Sequence, residues 1–217
     1  MRASHVYKVP ETLDYMTAAM AEPMSCCLHG IDLCNIKPGN TVLVIGGGPI
    51  GIIMMQLAKY SGASKVIMSE PVAEKRELAL KLGATAVVDP INENVDEFLA
   101  GCTKNVDCVI ECAGRTQTQE DAIRFAGKGA TVMFFGLAGP EDAIRVKPDD
   151  IFKKELKITS SFINPYTFSR AISILDSGVI DVKSIITSLI PIEELPHVLA
   201  DPSTRRDGKV MVKFGEE

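Results

Sequence analysis

Residues 41–60, TVLVIGGGPIGIIMMQLAKY, decide the fold that this sequence predicts. A β-branched apolar run leads directly into the loop Gly46–Gly51, and this loop opens an apolar stretch of helical length. A G-x-G-x-x-G pattern between a strand and a helix is typical of a dinucleotide-binding sheet. A turn that binds no ligand is the alternative interpretation of the same glycines.

Each position of this loop has a physical reason in a dinucleotide site. Gly46 permits the tight turn, Gly48 has no Cβ to block a pyrophosphate, and Gly51 lets helix and strand pack closely. Pro49 fits because residues of the first helical turn lack an intrahelical partner for their N–H groups. Those N–H groups and the helix dipole would stabilise the negative charge of a phosphate.

Short β-branched runs alternate with amphipathic stretches of helical length from residue 41 onward. The nearly continuous apolar character of most of these runs is expected of strands covered on both faces. The predicted fold class is therefore α/β, a doubly wound, six-stranded parallel sheet of the Rossmann type. The six predicted strands are TVLVIG (41–46), KVIMSE (65–70), TAVVD (85–89), DCVIEC (107–112), ATVMFF (130–135) and LKITSSF (156–162).

The clearest predicted helix is AEKRELALKLGA (73–84). Its three leucines are expected to form apolar faces, and Gly83 is expected to end it. The charged run EKR (74–76) is expected to stay in solvent.

Glu70 stands nineteen residues after Gly51, at the end of the second predicted strand. A carboxylate there can accept hydrogen bonds from both hydroxyls of an adenosine ribose, which indicates NAD. A 2′-phosphate in the same place would meet a like charge at ~4 Å, a repulsion of ~1 kcal/mol in water and several-fold more in a less polar site. Lys75 is a cation within reach of the same edge and weakens this preference. A solvated strand end is the alternative interpretation of Glu70.

Two further strand ends reach the same carboxyl edge of the predicted sheet, where doubly wound folds bind ligands. They are Cys112-Ala113-Gly114 and the run FGLAG (135–139), and their small residues would let the nicotinamide half of a cofactor lie against backbone. Cys112 could instead be a nucleophile, but no histidine lies near it in the sequence, and cysteine is common in buried strands.

Composition limits the classes of partner. The chain has 217 residues, of which 46% are hydrophobic, and a net charge of −5. This composition excludes a disordered chain. The sequence has no basic block and no long apolar window, so we expect neither a nucleic acid nor a membrane as a partner. The start, MRASHVYKVPETLDY, lacks the pattern of an export signal, so we expect a cytoplasmic protein with six reduced cysteines.

Both ends depart from the alternating pattern. VYKVP (6–10) has strand character, and the helical stretch TAAMAEPMSCCLHGIDLC (17–34) is expected to be interrupted at Pro23. The tail predicts helices at FSRAISILDSG (168–178) and IEELPHVLA (192–200). A last strand, KVMVKF (209–214), follows the turn signal Asp207-Gly208 and has no predicted partner in the sheet.

The chain resembles the zinc-containing alcohol dehydrogenases of the medium-chain dehydrogenase/reductase superfamily. Within that superfamily it is most similar to the sorbitol and polyol branch, with threonine dehydrogenase nearby. The resemblance runs essentially from end to end. It rests on AAMAEPMSCCLHG (18–30), GNTVLVIGGGPIG (39–51), KVIMSEP (65–71) followed by ELALKLGA (77–84), VIECAG (109–114) and DGKVMVKF (207–214).

The resemblance implies hydride transfer between a secondary alcohol or polyol and NAD. It also implies that Ile50, Glu70 and Lys75 contact the adenosine and phosphate half of the cofactor. Glu70 replaces the usual aspartate of the sorbitol enzymes, and Lys75 stands in place of their usual arginine. The residues implied to line the nicotinamide side are Phe135, Gly136, Leu137, Phe162 and Ile163.

Members of this family carry an N-terminal GroES-like domain that holds the zinc ligands, and no such domain precedes Met1. We therefore expect a cofactor-binding fragment, with a lead-in segment (1–36), a Rossmann domain (37–185) and a final helix and strand (186–217) that return toward the missing domain.

The resemblance places Glu22 beside the catalytic zinc of the polyol branch, but one carboxylate cannot hold a metal. The three histidines are scattered without the spacing of metal ligands. Zinc is therefore expected in the complete protein and not in this fragment.

Other interpretations remain open. A methyltransferase also places an acidic residue after its second strand, and it would bind S-adenosylmethionine. A stand-alone nucleotide-binding module without catalytic activity is the main non-enzymatic alternative. Residues 156–163 form a plausible edge strand, and an exposed edge can pair with another copy. The resemblance implies a homodimer formed through this edge, which is what we expect, although Lys153, Lys154 and Lys157 could equally keep the edge monomeric.

Overall fold

The computed structural model describes residues 6–201, 203 and 208–214. Six parallel strands form one sheet in the order β3-β2-β1-β4-β5-β6. The chain moves outward from β1 in one direction and then returns to place β4 on its other side, so the predicted doubly wound sheet is confirmed. The strands are β1 (Thr41–Ile45), β2 (Lys65–Ser69), β3 (Ala86–Val88), β4 (Cys108–Glu111), β5 (Thr131–Phe134) and β6 (Lys157–Ser160).

Helices cover both faces of the sheet. Successive residues of β1 alternate between two hydrophobic clusters, because Val42 and Val44 pack with α2, α3 and α8, whereas Leu43 and Ile45 pack with α5 and α6. The central strand is consequently buried at every position. The helices are α1 (Tyr15–Ala18), α2 (Ala21–Cys34), α3 (Pro49–Tyr60), α4 (Ala73–Lys81), α5 (Val95–Cys102), α6 (Thr116–Phe125), α7 (Pro148–Lys154), α8 (Phe168–Ser177) and α9 (Leu195–Ala200).

The start of the chain differs from the prediction in two respects. Residues 6–10, expected to be a strand-like stub, have no regular secondary structure. Pro23 does not interrupt the helical stretch, because α2 begins at Ala21 and proline is tolerated in a first turn that needs no N–H donor. The break lies at Ala19 and Met20, three to four residues before Pro23, between the end of α1 and the start of α2.

The tail contains a strand that the sequence did not reveal. β7 (Ile186–Ile190) pairs in parallel with β8 (Lys209–Val212) in a separate two-stranded sheet. The last strand therefore lies outside the six-stranded sheet, as expected, and pairs with a strand that was not predicted. Three central residues of β7 are exposed, which removes the apolar signal of a buried strand. Asp207 of the predicted turn lies outside the described residues.

The helix α4 buries a different side from the one expected. Ala79 is its completely buried residue, whereas Leu80 is 48% exposed. The predicted end is confirmed, since α4 stops at Lys81 and Gly83 has a φ of 104°. The three charged residues near the start of α4 do not all face solvent, because Lys75 and Arg76 are partly buried.

The approach of α3 to β1 generates a stability prediction. A Cβ added at Gly51 would lie 1.8 Å from the carbonyl oxygen of Gly46, and both partners belong to the backbone. Gly51→Ala should therefore lower the free energy of unfolding by about 1–3 kcal/mol, measured by urea denaturation. Gly48→Ala is the matched control, because its Cβ meets nothing within 4 Å and should change stability by about 0.5 kcal/mol or less. Equal stabilities for the two variants would contradict this packing.

Candidate functional site

The candidate site is the carboxyl edge of the sheet where β1 and β4 lie side by side. The loop after β1 turns sharply, since Gly46 has a φ of 100° and its N–H donates to the carbonyl of Ser69 at 2.9 Å. A Cβ at Gly46 would come within 3.2 Å of the backbone nitrogen of Ala113. Glycine is thus required here both by conformation and by the closeness of the turn that follows β4.

The next part of the loop leaves room for a ligand. Gly48 is the N-cap of α3, and nothing in the described chain lies within 4 Å of where its Cβ would be. Pro49, Ile50 and Gly51 form the first turn of α3, whose N–H groups have no partner inside the helix. The positive end of the helix dipole and an open space therefore coincide at Gly48, and a bound anionic group would need both.

Glu70 closes one side of this loop. Its side chain is 5% exposed, its Oε2 accepts a hydrogen bond from the Gly47 N–H at 2.5 Å, and its Oε1 accepts one from the Val72 N–H at 2.9 Å. A carboxylate has about four lone-pair positions, so two remain for ribose hydroxyls. The side chain predicted to bind a sugar therefore also shapes the phosphate loop.

Arg76, which was expected in solvent, is a cation at this edge. Its side chain is 19% exposed, and Nη1 donates to the carbonyl oxygens of Glu70 and Pro71 at 2.8 Å each. Nη1 also lies 3.2 Å from Oδ2 of Asp89. Hydrogen bonds from Asn92 and Ile91, together with the charge of Arg76, lower the pKa of Asp89. Arg76 therefore lies at the end of β2 and faces an ionised partner just beyond β3.

Helical phase is the signal that could have identified Arg76. It precedes the buried Ala79 by three residues, so both lie on the sheet-facing side of α4. Lys75, the predicted contact, is partly exposed on the neighbouring side of the same turn.

The turn after β4 contributes backbone rather than a nucleophile. Gly114 has a φ of 68°, and a Cβ there would lie 2.8 Å from the carbonyl oxygen of Leu137. Burial, followed by the charge of Glu111, raises the pKa of the Cys112 thiol, which disfavours the thiolate that a nucleophile requires. The geometry thus favours the structural interpretation of Cys112.

The turn after β5 lies directly against the turn after β4. A Cβ at Gly136 would meet the backbone nitrogen of Gly114 at 2.3 Å, so no larger residue fits without movement. The ring of Phe135 packs toward Gly30 of α2, which leaves its backbone at the edge. Leu137 is 93% exposed. Three of the five residues implied for the nicotinamide side, Phe135, Gly136 and Leu137, therefore lie at one edge.

Phe162 and Ile163 follow β6 and are 82% and 55% exposed. Ile163 has a φ of 62°, an uncommon and strained conformation for a β-branched residue. Two hydrogen bonds to Ser25 of α2 hold this segment, from Asn164 Nδ2 to Oγ at 2.7 Å and from Thr167 Oγ1 to the carbonyl at 2.8 Å. Strain held by such contacts is typical of functional segments.

Glu22 does not form part of a metal site in the described residues. It is exposed in the first turn of α2, where its Oε1 accepts a hydrogen bond from the thiol of Cys26 at 3.4 Å. Burial and the neighbouring Glu22 raise the pKa of Cys26 to about 11. Within residues 6–201, 203 and 208–214, no group of three or more His, Cys, Asp or Glu side chains is placed so that it could hold a metal ion. His5 lies outside the described residues.

Two buried polar atoms have no hydrogen-bond partner within the part of the chain that the structure describes. They are Oε2 of Glu111, at the end of β4, and Oγ of Ser161, just beyond β6. Both strands flank β5 in the sheet, so the two atoms lie on either side of the turn at Gly136. Orphaned polar atoms at one edge fit a site that a further group completes.

Two cavities lie elsewhere. One of about 200 Å³ is lined by residues of α5 and α6 with Asn105 and Gly127, and one of about 310 Å³ lies between α6 and the segment 145–150. Neither includes a residue of the glycine loop.

None of the helices in the described chain combines the length and apolar character required to cross a membrane. All six cysteines are free, as expected.

Comparison with known proteins gives a consistent result. The family model described as zinc-binding dehydrogenase matches residues 49–177. The chain is 30% identical to D-arabinitol dehydrogenase 1 of Uromyces fabae over 98% of this chain and 62% of that protein. It is 29% identical to sorbitol dehydrogenase of Gallus gallus, over 97% of this chain and 60% of that protein.

A solved structure extends this result. A protein of Sinorhizobium meliloti described as a zinc-binding dehydrogenase, bound to NADP, is 41% identical with a TM-score of 0.91. The match covers 95% of this chain and 61% of that one. The chain thus spans about 60% of the length of these relatives.

Proposed function

The chain belongs to the zinc-binding dehydrogenase family, and from this membership we propose that it is the NAD(H)-binding part of a zinc-dependent alcohol or polyol dehydrogenase. The reaction proposed for the whole protein transfers hydride between a secondary alcohol and NAD. Its relatives include dehydrogenases of the polyols arabinitol and sorbitol, which supports a small polyhydroxy substrate. The family match also favours a dehydrogenase over a methyltransferase.

The open space at Gly48 is the observation that carries the proposal. It lies at the N-terminus of α3, where unpaired N–H groups and the helix dipole would hold the diphosphate of a dinucleotide. Glu70 lies on one side of this space, with lone pairs available to the adenosine ribose. The turns at Gly114 and Gly136 lie on the other side and would meet the nicotinamide ring.

NAD supplies the hydride acceptor when it is bound, and the residues of this chain bind and orient it. The closely packed backbone of Gly114, Gly136 and Leu137 would offer a flat surface to the ring. Ile163, strained and partly exposed, would contribute an apolar contact that excludes water. The residues described do not fit a zinc ion, so no step through zinc is derived from them.

The main alternative is a nucleotide-binding module without catalytic activity. It is favoured by the same observation, because the described residues contain a dinucleotide cradle and no cluster of metal ligands. NADH binding without alcohol oxidation is expected of this chain by itself under both interpretations, whereas zinc-dependent alcohol oxidation by this chain would refute the module.

NADP is a second candidate cofactor because the relative of 41% identity was solved with it. Arg76 and Lys75 would be the cations available to a 2′-phosphate. Arg76 already faces Asp89 and two backbone carbonyls, and the Glu70 carboxylate would repel a phosphate at the ribose. These contacts support NAD as the preferred cofactor.

We also propose that two copies pair through the edge strand near residues 156–163. β6 is the last strand of the sheet, and Ile158 and the neighbouring Phe152 are 40% and 82% exposed. Two of the lysines that could block pairing are engaged within the chain. Lys153 lies 2.7 Å from Asp149, and Lys154 donates to the carbonyl of Arg124 at 2.8 Å.

Gly48→Ala tests the cradle directly. The added methyl group would occupy the open space and hold a diphosphate away from the N–H groups of α3, so the affinity for NADH should fall about tenfold or more, measured by fluorescence titration. Gly101→Ala is the matched control, since its Cβ also meets nothing within 4 Å but lies on α5. Unchanged binding by the Gly48 variant would contradict the proposal.

Titration with NADH and NADPH tests the role of Glu70. Repulsion at ~4 Å should make NADH bind at least about fivefold more tightly, and Glu70→Gln should narrow that ratio by removing the charge. Glu77→Gln, an exposed carboxylate of α4, should leave the ratio unchanged. Comparable affinities of the unaltered chain for the two cofactors would overturn the role given to Glu70, and tighter binding of NADPH would favour NADP.

Sedimentation equilibrium tests the dimer. The expected mass is twice the 23.4 kDa of the chain, and Ile158→Lys should restore a monomer by placing a charge in the shared edge. Ile91→Lys changes an exposed isoleucine away from that edge and should leave the dimer intact. A monomer at all concentrations would refute the pairing.

A further inference from the structure

Glu111 is a completely buried carboxylate for which the proposed function has no use so far. It is the last residue of β4 and has a relative exposure of 0%. In the sheet it aligns with Ile45 of β1 on one side and with Phe134 of β5 on the other. Glu111 therefore lies between the strand that leads to the glycine loop and the strand that leads to the turn at Gly136.

One oxygen of this carboxylate holds the turn after β4. Oε1 accepts hydrogen bonds from the N–H of Ala113 at 2.8 Å, the N–H of Gly114 at 2.9 Å and the hydroxyl of Thr118 at 2.8 Å. Two successive N–H groups that point to one oxygen fix the conformation of their turn. The third bond ties this turn to the first residues of α6.

The same residue also holds the turn after β5. Its carbonyl oxygen accepts hydrogen bonds from the N–H groups of Phe135 at 2.9 Å and Gly136 at 2.8 Å. Its Oε2, which has no partner in the described chain, lies 2.7 Å from the position that a Cβ on Gly136 would occupy. The carboxylate thus lies directly beneath Gly136.

A continuous series of backbone contacts connects these turns to the glycine loop. A Cβ on Gly46 would lie 3.2 Å from the nitrogen of Ala113, and one on Gly136 would lie 2.3 Å from the nitrogen of Gly114. The turn held by Oε1 of Glu111 therefore lies between the loop that would bind the diphosphate and the turn that would meet the nicotinamide.

We infer that Glu111 is a positioning residue that sets the distance between the diphosphate-binding loop and the nicotinamide-binding turn. This inference rests on the proposed function, because it assigns the two turns to two halves of one dinucleotide. It requires that changes at Glu111 affect binding of the nicotinamide half and leave the adenosine half unaffected.

Glu111→Gln is the variant of choice, because it keeps an oxygen for the three donors but places an NH₂ group beneath Gly136. An amide donor buried there lacks the space and the acceptor that it needs, so the turn after β5 must shift. The unaltered chain should bind NADH more tightly than ADP-ribose, which lacks the nicotinamide, and should shift the fluorescence emission of bound NADH.

In Glu111→Gln, the affinity for NADH should fall about tenfold, whereas the affinity for ADP-ribose should stay within about twofold of the original. The emission shift of bound NADH should also diminish at saturation. Thr118→Val removes one hydrogen-bond donor to Oε1 of Glu111 and leaves the residues of the two turns at the carboxyl edge of the sheet unchanged. It should weaken NADH binding by a smaller factor, about threefold. It remains informative if the Gln variant fails to fold. Glu97→Gln, an exposed carboxylate of α5, is the matched control and should behave as the unaltered chain.

The outcomes separate the inference from the proposed function. Unaltered NADH binding in both test variants would overturn the inference, as would an equal loss of NADH and ADP-ribose. Equal affinity of the unaltered chain for NADH and ADP-ribose would also overturn it, because the nicotinamide would then make no contribution to binding that Glu111 could affect. Failure of the unaltered chain to bind either ligand would instead contradict the proposed function itself.

Discussion

The close contact between the first turn of α3 and the loop after β1 is the constraint on which the rest of the site depends. The Cα of Gly51 lies so near the carbonyl of Gly46 that no side chain fits between them. Gly46 adopts a φ of 100°, which brings the chain round within one residue of the strand end. As a result, the N-terminus of α3 points across the central edge of the sheet, and the space at Gly48 remains open.

Carboxylates on the two strands beside β1 hold this arrangement from both sides. Glu70, after β2, accepts from the N–H of Gly47, and Glu111, at the end of β4, accepts from the N–H groups of Ala113 and Gly114. Both side chains are buried, and both use backbone donors that would otherwise lack partners at a turn. The edge is therefore a rigid framework of backbone groups in which side chains act chiefly as hydrogen-bond acceptors, as a preformed cofactor cradle requires.

Much of this could be predicted from the sequence, because local signals and the parallel topology agree. Six apolar runs separated by helical stretches determine the sheet, and the glycine spacing locates the loop. The predictions that were wrong concern features that depend on tertiary packing. Arg76 was expected in solvent, but the rotation of α4 on the sheet turns it toward the end of β2. Pro23 was expected to break a helix that in fact begins two residues before it. β7 has too few buried residues to stand out, and Glu111 resembles any other strand residue until its three donors are seen together.

We propose that a bound dinucleotide lies across this edge, with its diphosphate at Gly48 and its adenosine and nicotinamide halves on opposite sides of that residue. A crystal structure of the chain with NADH tests this most directly. Phosphate density is expected within hydrogen-bonding distance of the N–H groups of Gly48, Ile50 and Gly51, the adenosine ribose at Glu70 and the nicotinamide against Gly114 and Gly136. Cofactor density at any other surface, or a glycine loop closed by neighbouring side chains, would contradict it.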